Sequence, residues 1–176
     1  MEMDYRNIKV HPLLEPIKKI FEFVIFGNGF MMMPNFQQAF LAINPGAKSV
    51  IDDYNREVKL TIRGSKIHTN IQLYLVHLGR LMAIAIFDFL QFSPYQKYLN
   101  QTEIFKFAKH IRNGAAHNNK FLFDSKSKME LPVRWSDKVI TSSLVGKTVI
   151  PDFINAFSLL YLMQDITKLI EQREGK

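Results

Sequence analysis

Apolar residues recur at intervals of three and four along most of the chain, the spacing of one face of an α-helix. The longest such stripe runs from about Lys66 to Phe92, carried by Ile67, Ile71, Leu75, Leu78, Met82, Ile86 and Phe89 among others. It predicts a helix roughly 40 Å long, the spine of a bundle. Residues 12–26 predict a first helix on Leu13, Ile17, Ile20, Phe21 and Val24, interrupted at Gly27–Gly29. A second is expected over 30–43, after Pro34, whose fixed φ suits a first helical turn. Asn44–Gly46 reads as a turn, and residues 48–62 suit both strand and helix and are taken as helix. Ser93–Gln96 ends the spine. The next helix begins near Asn100–Thr102: Asn100 and Glu103 have capping-box spacing, and Thr102 is the alternative N-cap. Its apolar face holds Ile104, Ala108, Ile111 and Ala115. Residues 118–149 depart from the helical period, with a polar basic stretch and two short β-rich runs around polar turns. They predict a small hairpin or an irregular flap. Pro151–Gln172 carries two apolar lines and predicts a final, largely buried helix. The sum is an all-α bundle in one domain over 1–176, with one irregular or β-hairpin insertion at about 118–149.

Composition supports a packed core. Hydrophobic residues make up 47% of the chain and charged residues 22%, a balance that disfavours disorder. Fifteen Phe supply large apolar area per side chain. Cysteine is absent, which excludes disulfides, thiolate catalysis and the common structural zinc sites. The opening "MEMDYRNIKV" has no signal-peptide core, and the longest apolar run, Leu81–Leu90, is short and contains Asp88. The expectation is a cytoplasmic protein with no membrane association. A formal charge of +7 favours encounter with polyanions without specifying one, and a solvated surface explains it equally well.

One stretch carries chemistry: "AKHIRNGAAHNNKF", residues 108–121. Arg112 and His117 flank Asn113–Gly114, where a helix breaker stands inside an amphipathic helix. At 100° per residue the two side chains diverge by about 140° if the helix continues. They converge only if the chain ends or kinks its helix at Asn113–Gly114, as Gly permits, or if a second subunit completes the site.

"RNGAAH" (Arg112 to His117) resembles the Arg-x4-6-His signature of the HEPN superfamily, in which a polar residue, often Asn, directly follows the Arg, as Asn113 does. The downstream "RWSDKVITSSLVGKTV" also looks like a segment of some bacterial HEPN-type proteins. The motif covers six residues; the helical-bundle architecture would cover most of the chain. The resemblance implies a homodimer that joins two motifs in one cleft. In active members it implies a metal-independent endoribonuclease of toxin–antitoxin or phage-defence systems, with an antitoxin as possible partner. No cofactor and no metal are expected.

The residue types suit that chemistry. Attack of an RNA 2′-hydroxyl on the adjacent phosphorus needs a base near pH 7, and histidine's unperturbed pKa is about 6.5. A guanidinium is always charged and binds two phosphoryl oxygens at once. One histidine cannot begin both deprotonated and protonated, so two copies of His117 supply base and acid. Asn113 can bond a phosphate or orient His117. Lys120, Lys126, Lys128 and Arg134 are candidate RNA contacts, and a solvated basic loop is the equal alternative. His110 is expected to face solvent and Asp88 to pair with a cation. Arg80 and His77, at the edge of the spine's stripe, are read as snorkelling or satisfied polar residues, and Trp135 as packed.

Overall fold

The computed structural model describes residues 8–31, 38, 42, 48, 52 and 67–175. Among them the chain is mostly helical: α1 (Glu15–Met31), α2 (Ile67–Gln91), α3 (Gln96–Leu99), α4 (Glu103–Ala116), α5 (Ser125–Met129) and α6 (Ala156–Glu174). Between α5 and α6 lie strands β1 (Val133–Trp135) and β2 (Lys138–Ile140) and a 3-10 turn, Ser142–Leu144. No helix among the described residues is long and apolar enough to cross a membrane. The expected elements at 30–43, 44–46 and 48–62 lie almost wholly outside the described residues.

The chain forms two compact units, one from Met1–Lys18 with Leu75–Lys176, the other Lys19–Tyr74. The described part of the second consists mainly of the later turns of α1 and the first turns of α2. Helix α1 runs on through Gly27–Gly29 to Met31, so the expected interruption there is corrected. Glycine costs a helix about 1 kcal/mol per residue relative to alanine, which weakens a helix without ending it.

The first unit is organised around α4. Thr102 is its N-cap: the side chain accepts from the Phe105 amide at 3.3 Å. Asn100 instead closes α3. Strand β1 and helix α6 both pack on α4, so α4 buries more than one narrow stripe. Phe105, Phe107, Ala108, His110, Ile111, Gly114 and Ala115 are all buried. Phe107 packs on Trp135 at 5.5 Å between ring centroids and on Phe153 at 6.1 Å; Phe121 meets Phe153 edge-on at 5.0 Å. Phe107 and Phe121 are fully buried in this joint, and each such ring contributes roughly 1.5–3 kcal/mol.

The insertion is a hairpin. β1 pairs antiparallel with β2 in the register Val133↔Ile140, Arg134↔Val139, Trp135↔Lys138, joined by the two residues Ser136 and Asp137. Trp135 is buried and donates its indole N–H to Asp165 of α6 at 3.1 Å, which fixes the hairpin to the final helix. That helix starts at Ala156 rather than Pro151, because the Asn155 side chain caps it by accepting from the Ser158 amide at 2.8 Å. Before α1, the His11 amide donates to Thr167 of α6 at 2.7 Å, tying the start of the unit to its last helix.

Candidate functional site

Helix α4 does not break at Asn113–Gly114. It continues to Ala116, with His117 as its C-cap, and the His117 amide donates to the Asn113 carbonyl at 3.0 Å. Gly114 serves packing instead. A Cβ there would fall far inside van der Waals contact of Val149 Cγ2 and 3.3 Å from the Lys120 carbonyl oxygen. Gly79 on α2 plays a matching part: a Cβ at that position would sit 3.1 Å from Ile150 Cγ2. The strap Val149–Ile150, both residues buried, thus slots between α2 and α4 against two glycines.

The turn that follows α4 brings the chain back along the strap. Asn118 and Asn119 both take positive φ, 53° and 59°, a region in which asparagine is the least strained residue after glycine. The Asn119 side chain then clamps Ile150 from both sides: its Nδ2 donates to the Ile150 carbonyl and its Oδ1 accepts from the Ile150 amide at 3.0 Å. The Asn119 carbonyl accepts from the Val149 amide at 3.0 Å. Residues on both sides of His117 are therefore held by backbone and side-chain bonds, while His117 itself is exposed.

Arg112 lies on the seam between α4 and α2. Its Nε donates to Asp88 Oδ1 at 3.2 Å, and both side chains are about a third exposed. Its guanidinium stands 6.0 Å from the Phe87 ring centroid, the outer limit of a cation–π contact. It also lies 3.5 Å from Asn113 Oδ1, the limit of a hydrogen bond. The expected pairing of Asp88 with a cation is thus met by Arg112. Nearly one turn further along α4, the Ala115 carbonyl accepts from the Nε–H of Arg80 on α2 at 2.9 Å. That carbonyl belongs to the last turn of α4, where the helix dipole favours a cation.

No hydrogen bond or ion pair joins Arg112 to His117 among the described residues; each faces its own surroundings, as an unbroken helix requires. Of the other candidates, Lys120 is exposed three residues beyond His117 and pairs with Thr148 in an isolated bridge. Lys126 and Lys128 are exposed on α5. Arg134 is exposed on β1, its amide donating to Glu103 Oε1 at 2.8 Å. Glu103 opens α4, so Arg134 sits near the opposite end of that helix from His117, roughly 20 Å away along the axis. Arg134 and His117 therefore do not share a site within one chain.

His110 corrects the sequence expectation. It is buried, with 1% of its surface exposed, because Phe123 and Glu130, on the segment after α4, lie against the face that periodicity alone assigns to solvent. Its Nε2 has no hydrogen-bond partner among the described residues; Glu130 Oε2 lies 3.5 Å away and is drawn to Lys109, whose Nζ contacts both Glu130 oxygens at 2.8 and 3.1 Å. The Phe123 ring meets the imidazole edge-on at 5.4 Å. Desolvation lowers the His110 pKa below its ordinary value, with Glu130 opposing and Lys109 adding to the shift. Among the described residues no group of three or more metal-ligating side chains gathers.

No protein-family model matches the chain, and no match was found among the curated proteins or the solved structures.

Proposed function

We propose that this chain is a HEPN-type domain that dimerises and cleaves RNA without a metal, in a toxin–antitoxin or phage-defence setting. The observation that carries the reading is the helix that runs unbroken from Arg112 to Ala116, with His117 as its C-cap. It presents a guanidinium and an accessible imidazole from the same two turns but in different directions, so a second copy is needed to bring both kinds of group to one phosphate. Exposed apolar side chains on and just after α2 give such a copy something to cover: Leu81 is 66% and Phe92 88% exposed.

In that dimer, His117 of one subunit takes the proton from a 2′-hydroxyl as its oxygen attacks phosphorus. The P–O5′ bond breaks, and His117 of the partner subunit gives a proton to the departing 5′-oxygen. The products are a 2′,3′-cyclic phosphate and a free 5′-hydroxyl. Arg112 stabilises the charge that builds on the phosphoryl oxygens, and Asn113, beside Arg112, bonds the same phosphate.

A second reading has one observation in its favour. Asp88 neutralises Arg112, which suits a HEPN-like module that binds RNA or a nucleotide, or only dimerises, without turnover. The two readings part on a single experiment: incubation in EDTA with an RNA and with the same sequence carrying 2′-deoxy sugars. Cleavage of the RNA alone supports the ribonuclease. Salt-sensitive binding of both without cleavage supports the module, and equal cleavage of both rules out 2′-hydroxyl attack.

A further inference from the structure

We infer that Arg80 is a phosphate-binding residue of the RNA site, the anchor that draws the backbone to the seam between α2 and α4; this rests on RNA being the ligand. Two guanidiniums lie on that seam, and their charges are treated differently. Arg112 is neutralised by the Asp88 carboxylate at 3.2 Å. Arg80 is held only by a neutral group, the Ala115 carbonyl, through its Nε at 2.9 Å. No carboxylate pairs with Arg80 among the described residues, and neither of its Nη groups has a partner among them. A guanidinium offers five N–H donors, and a phosphate is bound by the parallel pair that Arg80 leaves open.

The anchoring is built in. Gly79, next to Arg80, and Gly114, next to Ala115, let the strap Val149–Ile150 fill the space between the helices. The Arg80–Ala115 bond therefore spans a seam whose separation is set by packing. Ala115 stands two residues before His117 and three after Arg112, so the Arg80 guanidinium is fixed at the end of α4 that carries both motif residues. Helix-end stabilisation accounts for the Nε bond but leaves the two Nη groups without a role. A solvated cation there needs no such fixed carbonyl clamp.

The test is RNA binding against salt, measured by fluorescence anisotropy with a short single-stranded RNA made uncleavable by 2′-O-methyl groups. For single strands the slope of log K against log salt changes by about 0.7 for each phosphate the protein ceases to neutralise. Arg80→Gln, which keeps a donor for Ala115, is expected to weaken binding about 5-fold near 0.1 M salt and to flatten the slope by that amount. Arg80→Lys, which keeps the charge, is expected to retain the wild-type slope. A glutamine variant with unchanged slope and affinity overturns the inference. If that variant does not fold, side-chain NMR of the wild-type arginines decides: the Arg80 Nη signals, assigned with Arg80→Lys, shift on addition of the RNA, or the inference fails. Arg80-dependent binding without any cleavage in EDTA retires the ribonuclease and leaves this anchor standing. Cleavage that depends on Arg112 and His117 but not on Arg80 does the reverse, and absence of RNA binding overturns both.

Discussion

Arg112 Nε lies 3.2 Å from Asp88 Oδ1, a partly exposed pair that links the motif helix to the spine. Pairs of this exposure contribute about 0–1 kcal/mol to stability. Asp88→Asn keeps an acceptor for Arg112 but removes the charge that offsets it. The expected result is a shift in unfolding free energy below about 1 kcal/mol and tighter RNA binding, by roughly 2–5-fold at low salt. Denaturant titration and anisotropy check the two halves; a weaker-binding asparagine variant would show that Asp88 serves RNA rather than restrains Arg112.

Gly114 predicts a substitution that runs against helix propensity. Alanine is favoured over glycine in a helix interior by about 1 kcal/mol, yet a Cβ at this position collides with Val149. Overpacking a well-filled interior costs about 1–3 kcal/mol, so Gly114→Ala is expected to destabilise on balance. Val149→Ala makes room, and the cost of Gly114→Ala should shrink in that background. Urea unfolding of the four members of the cycle measures this, and a glycine-to-alanine gain in stability would show that the strap yields.

Asn119 holds the turn after His117. Asn119→Ala removes the clamp on Ile150, leaves that buried residue's amide and carbonyl without partners, and places a less tolerant residue at φ 59°. Each orphaned buried group costs about 1–3 kcal/mol, so a loss of roughly 2–4 kcal/mol is expected. Thermal unfolding checks it. Asn118→Ala is the milder comparison, because it removes no such clamp.

His110 sets a pH dependence whose sign follows from its burial. Its folded pKa is lowered, so the native state disfavours the imidazolium and the unfolded chain binds more protons. Stability therefore rises with pH across the window below the unfolded value of about 6.5, and is lost as pH falls through it. Glu130, Lys109 and Asp124 are the charged groups around it. Urea midpoints at pH 7.5 and 5.5 should differ more for the wild type than for His110→Leu; equal differences would mean that protonated His110 is accommodated by Glu130.

What the sequence made legible was what periodicity and local chemistry encode. The spine stripe placed α2 within a residue at each end, Thr102 was one of two N-caps considered, and the hairpin stood out as two β-rich runs. Helix α4 was harder, because its burial comes from two sides. Ile111 and Ala115 mark the face that a single stripe reveals, whereas His110 is buried against Phe123 and Glu130 beyond the helix, and Gly114 by a strap more than thirty residues downstream. Glycine inside a helix looks like a break until its neighbour is known. The same blindness moved the start of α6, which depends on the Asn155 cap, and hid α5, a single turn capped by Asp124.

The most direct test of the proposed ribonuclease is a time course of RNA cleavage in EDTA by the wild type, Arg112→Ala and His117→Ala, with product ends identified. The expected result is 2′,3′-cyclic phosphate and 5′-hydroxyl ends from the wild type and a loss of about 100-fold or more in rate from either substitution, the scale of a general base or a charge-stabilising donor. Wild-type cleavage that both variants retain at full rate would contradict it.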